Sequence, residues 1–207
     1  MSIQASLAKQ SHAAWQLEQF RLIHRLGALA AGSGLVIYTM AYFALRHWQT
    51  LAICALLAVL LAGFYLSWQI IRRNRLERGI ETFAFSIIGF MAASIYFQSD
   101  IIGFNIMVSF VPIVLANYLL SPRRTRRVVV VSSLTIIHNL LIATFNPFQP
   151  PSFPAPAIIA LNLVAGPGIL GIIAIINYRS ARRTEQAIAQ LEQQSAGLEE
   201  IVKRRTA

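Results

Sequence analysis

The sequence predicts an all-α polytopic membrane protein, with six transmembrane helices, an interfacial N-terminal helix and a C-terminal cytoplasmic coiled-coil helix. Three observations predict it. Of the 207 residues, 56% are hydrophobic and only 13% charged. The uncharged stretches run to about 20 residues, the length a helix needs to cross the hydrocarbon of a bilayer, and they lack the strict alternation of barrel strands. Short arginine clusters separate these stretches, one after every second stretch, which is the charge asymmetry of a helical protein threaded back and forth.

Residues 1–25 contain "SLAKQSHAAWQLEQFRLIHR", a helical pattern. Trp15, Leu17, Phe20 and Ile23 are placed to lie on a membrane surface while Lys9, Glu18 and Arg21 stay wet. An ordinary packed helix accounts for the same pattern equally well. There is no short apolar core of a cleavable leader before Glu18. The transmembrane domain is expected over 26–178. Its spans cover 26–45, 51–71, 80–97, 101–120, 128–145 and 157–178.

Orientation follows from the basic residues. Lys9, Arg21 and Arg25, then Arg72, Arg73, Arg75 and Arg78, then Arg123, Arg124, Arg126 and Arg127, and finally the tail cluster from Arg179 to Arg205 all fall on one side; Arg46 alone falls on the other. Basic loops stay inside, so the expectation is a multi-pass protein of a bacterial cytoplasmic membrane with both termini in the cytoplasm. The net charge of +10 is thereby explained by topology and anionic headgroups, and no nucleic-acid partner is expected. The single cysteine, Cys54, lies in an apolar run and excludes an intrachain disulfide or a cysteine-rich metal site.

The outer loops "RHWQT" and "QSD" are turns, and "NPFQPPSFPAP" is a proline-rich cap, stiffened by the fixed proline φ. None has room for a folded extracellular domain. Polar residues inside the spans therefore carry the functional expectation, because such groups are costly in hydrocarbon. His138 and Asn139 lie near the middle of span five, Asn162 and Asn105 toward the outer ends of spans six and four, and Tyr96 at the outer end of span three. With Phe104 and Phe145 as apolar walls, these residues form a candidate pocket for a small lipophilic ligand. For each polar residue the plain alternative is hydrogen bonding between helices. No cofactor is expected. A single axial haem ligand is available at His138, but a bis-histidine site is not. In span six, Gly166, Pro167, Gly168 and Gly171 interrupt the helix and make a candidate hinge.

The segment from 179 to 207 continues that helix without an apolar requirement. Ala181, Thr184, Ile188, Leu191, Ser195, Leu198 and Val202 recur in 3–4 alternation, a heptad seam for a parallel homodimer. Its end, "LEQQSAGLEEIVKRRTA", resembles the linker that joins membrane sensor regions to their output in bacterial sensor histidine kinases and diguanylate cyclases. Leu198, Glu199, Val202, Arg205, Thr206 and Ala207 carry the likeness, which covers about twenty residues. The six-span layout is similar to the integral sensor regions of those proteins, of the MASE type or the autoinducer-kinase type. The resemblance implies a homodimeric receptor module whose output, a kinase or a cyclase, is not in these 207 residues. No phosphoacceptor, nucleotide-binding or GGDEF motif occurs, so the chain itself is expected not to be an enzyme. "NPF" at 146–148 resembles the end of the quinone motif GGxxNPF of six-span redox-sensing kinases, but its glycine pair is missing. A transporter or channel is the second expectation from the same spans, although they carry almost no charge for a coupling ion.

Overall fold

The computed structural model describes residues 3–97 and 102–145. They form five helices, α1 (Ile3–Leu45), α2 (Trp48–Arg72), α3 (Leu76–Ser94), α4 (Ile102–Leu119) and α5 (Pro122–Phe145). Three stretches are long and apolar enough to cross a membrane: Ala14–Ala44 of α1, all of α2 and all of α5. The fold is all-α, and the chain is a membrane protein with several apolar helices. The expected spans two to five fall on α2 to α5. The expected sixth span with Asn162, the hinge residues Gly166, Pro167, Gly168 and Gly171, and the seam from Ala181 to Val202 lie outside the described residues.

The N-terminal segment differs from expectation. The separate interfacial helix over 1–25 and the first span are one continuous helix of 43 residues, α1. At 1.5 Å per residue it is roughly 65 Å long, about twice the hydrocarbon thickness. The physical reason is tertiary. Phe20 and Ile23, expected to rest on lipid, are buried against the bundle. Phe20 meets the ring of Phe83 edge-on at 5.4 Å. A segment docked in this way has no need to turn along the surface, and no proline interrupts it.

The interior of the described helices is mainly apolar, with a few buried polar groups, and much apolar surface is exposed as well. On α5 the buried positions are Val128, Ser132, Thr135 and Asn139, a face repeating at the four- and three-residue steps of a helix. Leu134, Ile137 and Leu141 are each more than half exposed. On α2, Leu51, Val59 and Leu66 face outward in the same way. In water such surface would be an aggregation liability; against acyl chains it is ordinary solvation.

Helices α2 and α3 approach most closely through small residues. The Ser67 hydroxyl donates to the Gly79 carbonyl at 2.7 Å, and a Cβ placed on Gly79 would stand 2.9 Å from the Ser67 carbonyl oxygen. One end of this pair is closed by a turn of defined type. The Asn74 amide donates to Ile71 O at 2.9 Å, and the Arg75 amide to Ile70 O at 3.3 Å. These two bonds and the positive φ of 59° at Asn74 make a Schellman ending. Asn tolerates that backbone region and alanine does not. Asn74→Ala is expected to lower stability by about 1 kcal/mol, and Asn74→Gly to be near neutral, as read by thermal denaturation in detergent.

Candidate functional site

Helices α4 and α5 are antiparallel neighbours joined at Leu120–Ser121, so distance from that turn sets depth. Ser109 and Ser132 lie roughly 15 Å along their helices, and Asn105 and Asn139 roughly 22–26 Å, by the rise per residue. All four are buried. Each helix thus carries buried polar residues at two similar depths.

Their hydrogen bonding divides them. The Ser109 hydroxyl donates to Asn105 O at 2.8 Å, and the hydroxyl of Thr135, on the same face of α5, donates to Val131 O at 3.0 Å. These groups are satisfied within their own helices, a common device of Ser and Thr in helices. Both amide atoms of Asn105, both of Asn139 and the Ser132 hydroxyl have no hydrogen-bond partner among the described residues. Leaving such groups buried and unpaired costs about 1–3 kcal/mol each. The deeper level is extended by Tyr96, whose ring lies 5.6 Å from that of His138.

Of the seven expected ligand residues, Tyr96 and His138 are in ring contact, and Asn105 and Asn139 are buried toward the helix ends away from the arginine clusters. Phe145 is 74% exposed and forms no buried wall there. The side chain of Phe104 and all of Asn162 lie outside the described residues. Ser132 escaped the sequence reading, although its seven-residue spacing from Asn139 puts both on one helix face.

Asn139→Leu removes a buried amide that has no partner among the described residues, while roughly keeping volume. It is expected to leave stability unchanged or to raise it by about 1–2 kcal/mol, measured by denaturant titration in mixed micelles. An Asn that served only to glue helices together would give a loss of about 0.6 kcal/mol instead.

A second polar locus was not legible. His24 is ringed by Phe20, Phe64, Trp68 and Phe83, with centroids 5.5 to 6.0 Å away. Its Nε2 lies 2.9 Å from Phe64 O, so the tautomer that donates there satisfies it. The Arg21 guanidinium stands 6.0 Å over Trp68, at the limit of a cation–π contact. These rings clamp α1 to α2 and α3, and with His24 bonded to backbone the cluster is structural.

Ion pairs join the two arginine-rich turns. Arg124 binds Glu77 at 3.0 Å and also Glu81, while Arg127 lies 3.9 Å from Glu81. Ser121 donates to Glu77 at 3.1 Å. Glu81 is thus paired across helices with Arg124, not with its sequence neighbour Arg78.

Fold and site together define a helical membrane protein with an apolar outside and a mainly apolar interior that holds a few buried polar groups without partners among the described residues. No protein-family model, curated protein or solved structure matches the chain.

Proposed function

We propose that this chain is the membrane input module of a receptor. In this reading six helices cross a bacterial cytoplasmic membrane, with the arginine clusters and both termini in the cytoplasm. A small lipophilic molecule enters the polar level at Asn105, His138 and Asn139. The change it makes passes through the helix at 157–178 and a dimeric coiled coil over 181–202 to a kinase or cyclase outside these residues.

The observation that carries the reading is that the amides of Asn105 and Asn139 are buried without a hydrogen-bond partner among the described residues. Two carboxamides hold donors and acceptors in fixed positions. A ligand bearing one hydroxyl or carbonyl would satisfy them inside apolar walls, where such bonds discriminate strongly. The linker likeness at 198–207 supports the choice of output.

The test joins residues 1–207 in frame to a dimerisation-dependent reporter kinase and screens membrane-permeant amphiphiles. The expected result is an output that at least one compound changes. Asn139→Leu should abolish that response and leave basal output intact. Ligand-independent output throughout, together with reproducible solute flux in proteoliposomes, would replace this reading with the transporter reading. The continuous polar face Ser132, Thr135 and Asn139 is the observation that favours that second reading.

A further inference from the structure

The turn after α2 and the start of α5 enclose a cleft of about 450 Å³, lined by Ile70, Arg73, Arg75, Arg78, Glu81, Thr82, Phe85, Arg124 and Arg127. Five guanidinium groups face one carboxylate. Arg124 and Arg127 are engaged with glutamates, whereas Arg73, Arg75 and Arg78 have no carboxylate partner among the described residues. Arg73 and Arg75 flank Asn74 in the Schellman ending of α2, and Arg78 follows in the first turn of α3.

From this geometry we infer that the cleft binds a phosphate group carried by an anionic ligand. Guanidinium forks match phosphate oxygens in pairs, and so many like charges around one cavity repel until an anion enters. The neighbouring surface names the favoured source. The cleft adjoins the end of the apolar α2, and its wall includes Ile70 and Phe85. A membrane phospholipid would set its phosphate among the arginines and leave its chains along the exposed apolar flank. A free phosphate compound shares the headgroup chemistry without the chains. The ordinary role of basic loops in topology needs the charges on one side of the membrane; it needs no cavity.

The test uses the full chain in neutral phosphatidylcholine nanodiscs. Phosphatidylglycerol, phosphatidylcholine and soluble pyrophosphate are added in separate arms, and binding is read by native mass spectrometry and by the shift in melting temperature. The expected result is retention of phosphatidylglycerol and a higher melting temperature, neither seen with extra phosphatidylcholine. A variant carrying Arg73→Gln, Arg75→Gln and Arg78→Gln should bind about a hundredfold more weakly, at roughly fivefold per arginine. The Lys triple at the same positions keeps the topological charge and should also bind more weakly, because the forks are lost. The control Arg123→Gln/Arg126→Gln, at exposed positions outside the cleft, should bind as wild type does. Stabilisation by pyrophosphate equal to that by phosphatidylglycerol would keep the site and assign it to a free phosphate compound. Equal losses in the control and cleft variants, or no preference for phosphatidylglycerol or pyrophosphate over phosphatidylcholine, would overturn the inference.

Discussion

Replacing Arg124 with Ala should destabilise the bundle by about 2–3 kcal/mol. Removing one partner of a fully buried ion pair costs about 3–5 kcal/mol. That figure is reduced here because Arg124 is 25% exposed and Glu77 40% exposed, and water screens what it reaches. Glu81, at 14% exposure, suffers most, since it would be left with only the long contact to Arg127. The guanidinium also ties α5 to α3 at a point where Ser121 already donates to Glu77. The loss should therefore appear as separation of the α4–α5 pair from α3. Unfolding by denaturant titration in mixed micelles measures it. Combining Arg124→Leu with Glu77→Gln and Glu81→Gln removes the stranded charges and should recover more than half of the loss. A triple variant no better than Arg124→Ala would show that the helices are held by packing alone.

The second large effect is expected at Gly63. A Cβ added there would stand 2.2 Å from the Ser86 hydroxyl oxygen and 2.8 Å from its Cβ. Close backbone approach through small residues is how membrane helices gain packing energy, and Gly63→Ala wedges α2 away from α3. The expected cost is about 1–3 kcal/mol. The remedy is specific. Ser86→Ala removes the hydroxyl but keeps the Cβ at 2.8 Å and should rescue only part of the loss. Ser86→Gly removes it and should restore most of the stability, less about 0.5–1 kcal/mol for a glycine within a helix. Gly89, with open space around it, provides the neutral control as Gly89→Ala. Melting curves of the single and double variants in one detergent decide the matter.

Much of the fold was legible because hydrocarbon thickness and helical rise constrain a membrane helix from one dimension. The expected span 51–71 is α2 within a few residues, and 101–120 is α4. The misplacements have a common origin. The third span, expected over 80–97, begins at Leu76 and ends at Ser94, because Glu77 and Glu81 sit inside the helix and find Arg124 there. The fifth begins at Pro122, not 128, for the same reason seen from the other partner. Charges that look like loop in the sequence are helix once a distant charge pairs with them, and no local pattern states which turns will meet. The continuity of α1 is a similar case, resting on Phe20 against Phe83. Within the candidate site, the burial of Asn139 and Asn105 inside apolar helices was readable from the sequence, whereas the depth of Asn139 was shifted by the earlier start of α5 at Pro122. Their lack of partners was not readable, because hydrogen-bond satisfaction belongs to the assembled interior.

In the proposed topology the basic end of the bundle is cytoplasmic and α2 crosses the membrane between its ends. Single-cysteine variants test this most directly, in a Cys54→Ala background that removes the native thiol. His47→Cys and Arg75→Cys lie at opposite ends of α2, and Arg123→Cys lies beside the ion-paired turns. In intact cells a membrane-impermeant maleimide is expected to label position 47 and to leave 75 and 123 unlabelled until the membrane is permeabilised. Labelling of 75 and 123 with 47 protected would reverse the orientation, and equal labelling of 47 and 75 in intact cells would contradict a membrane-spanning α2.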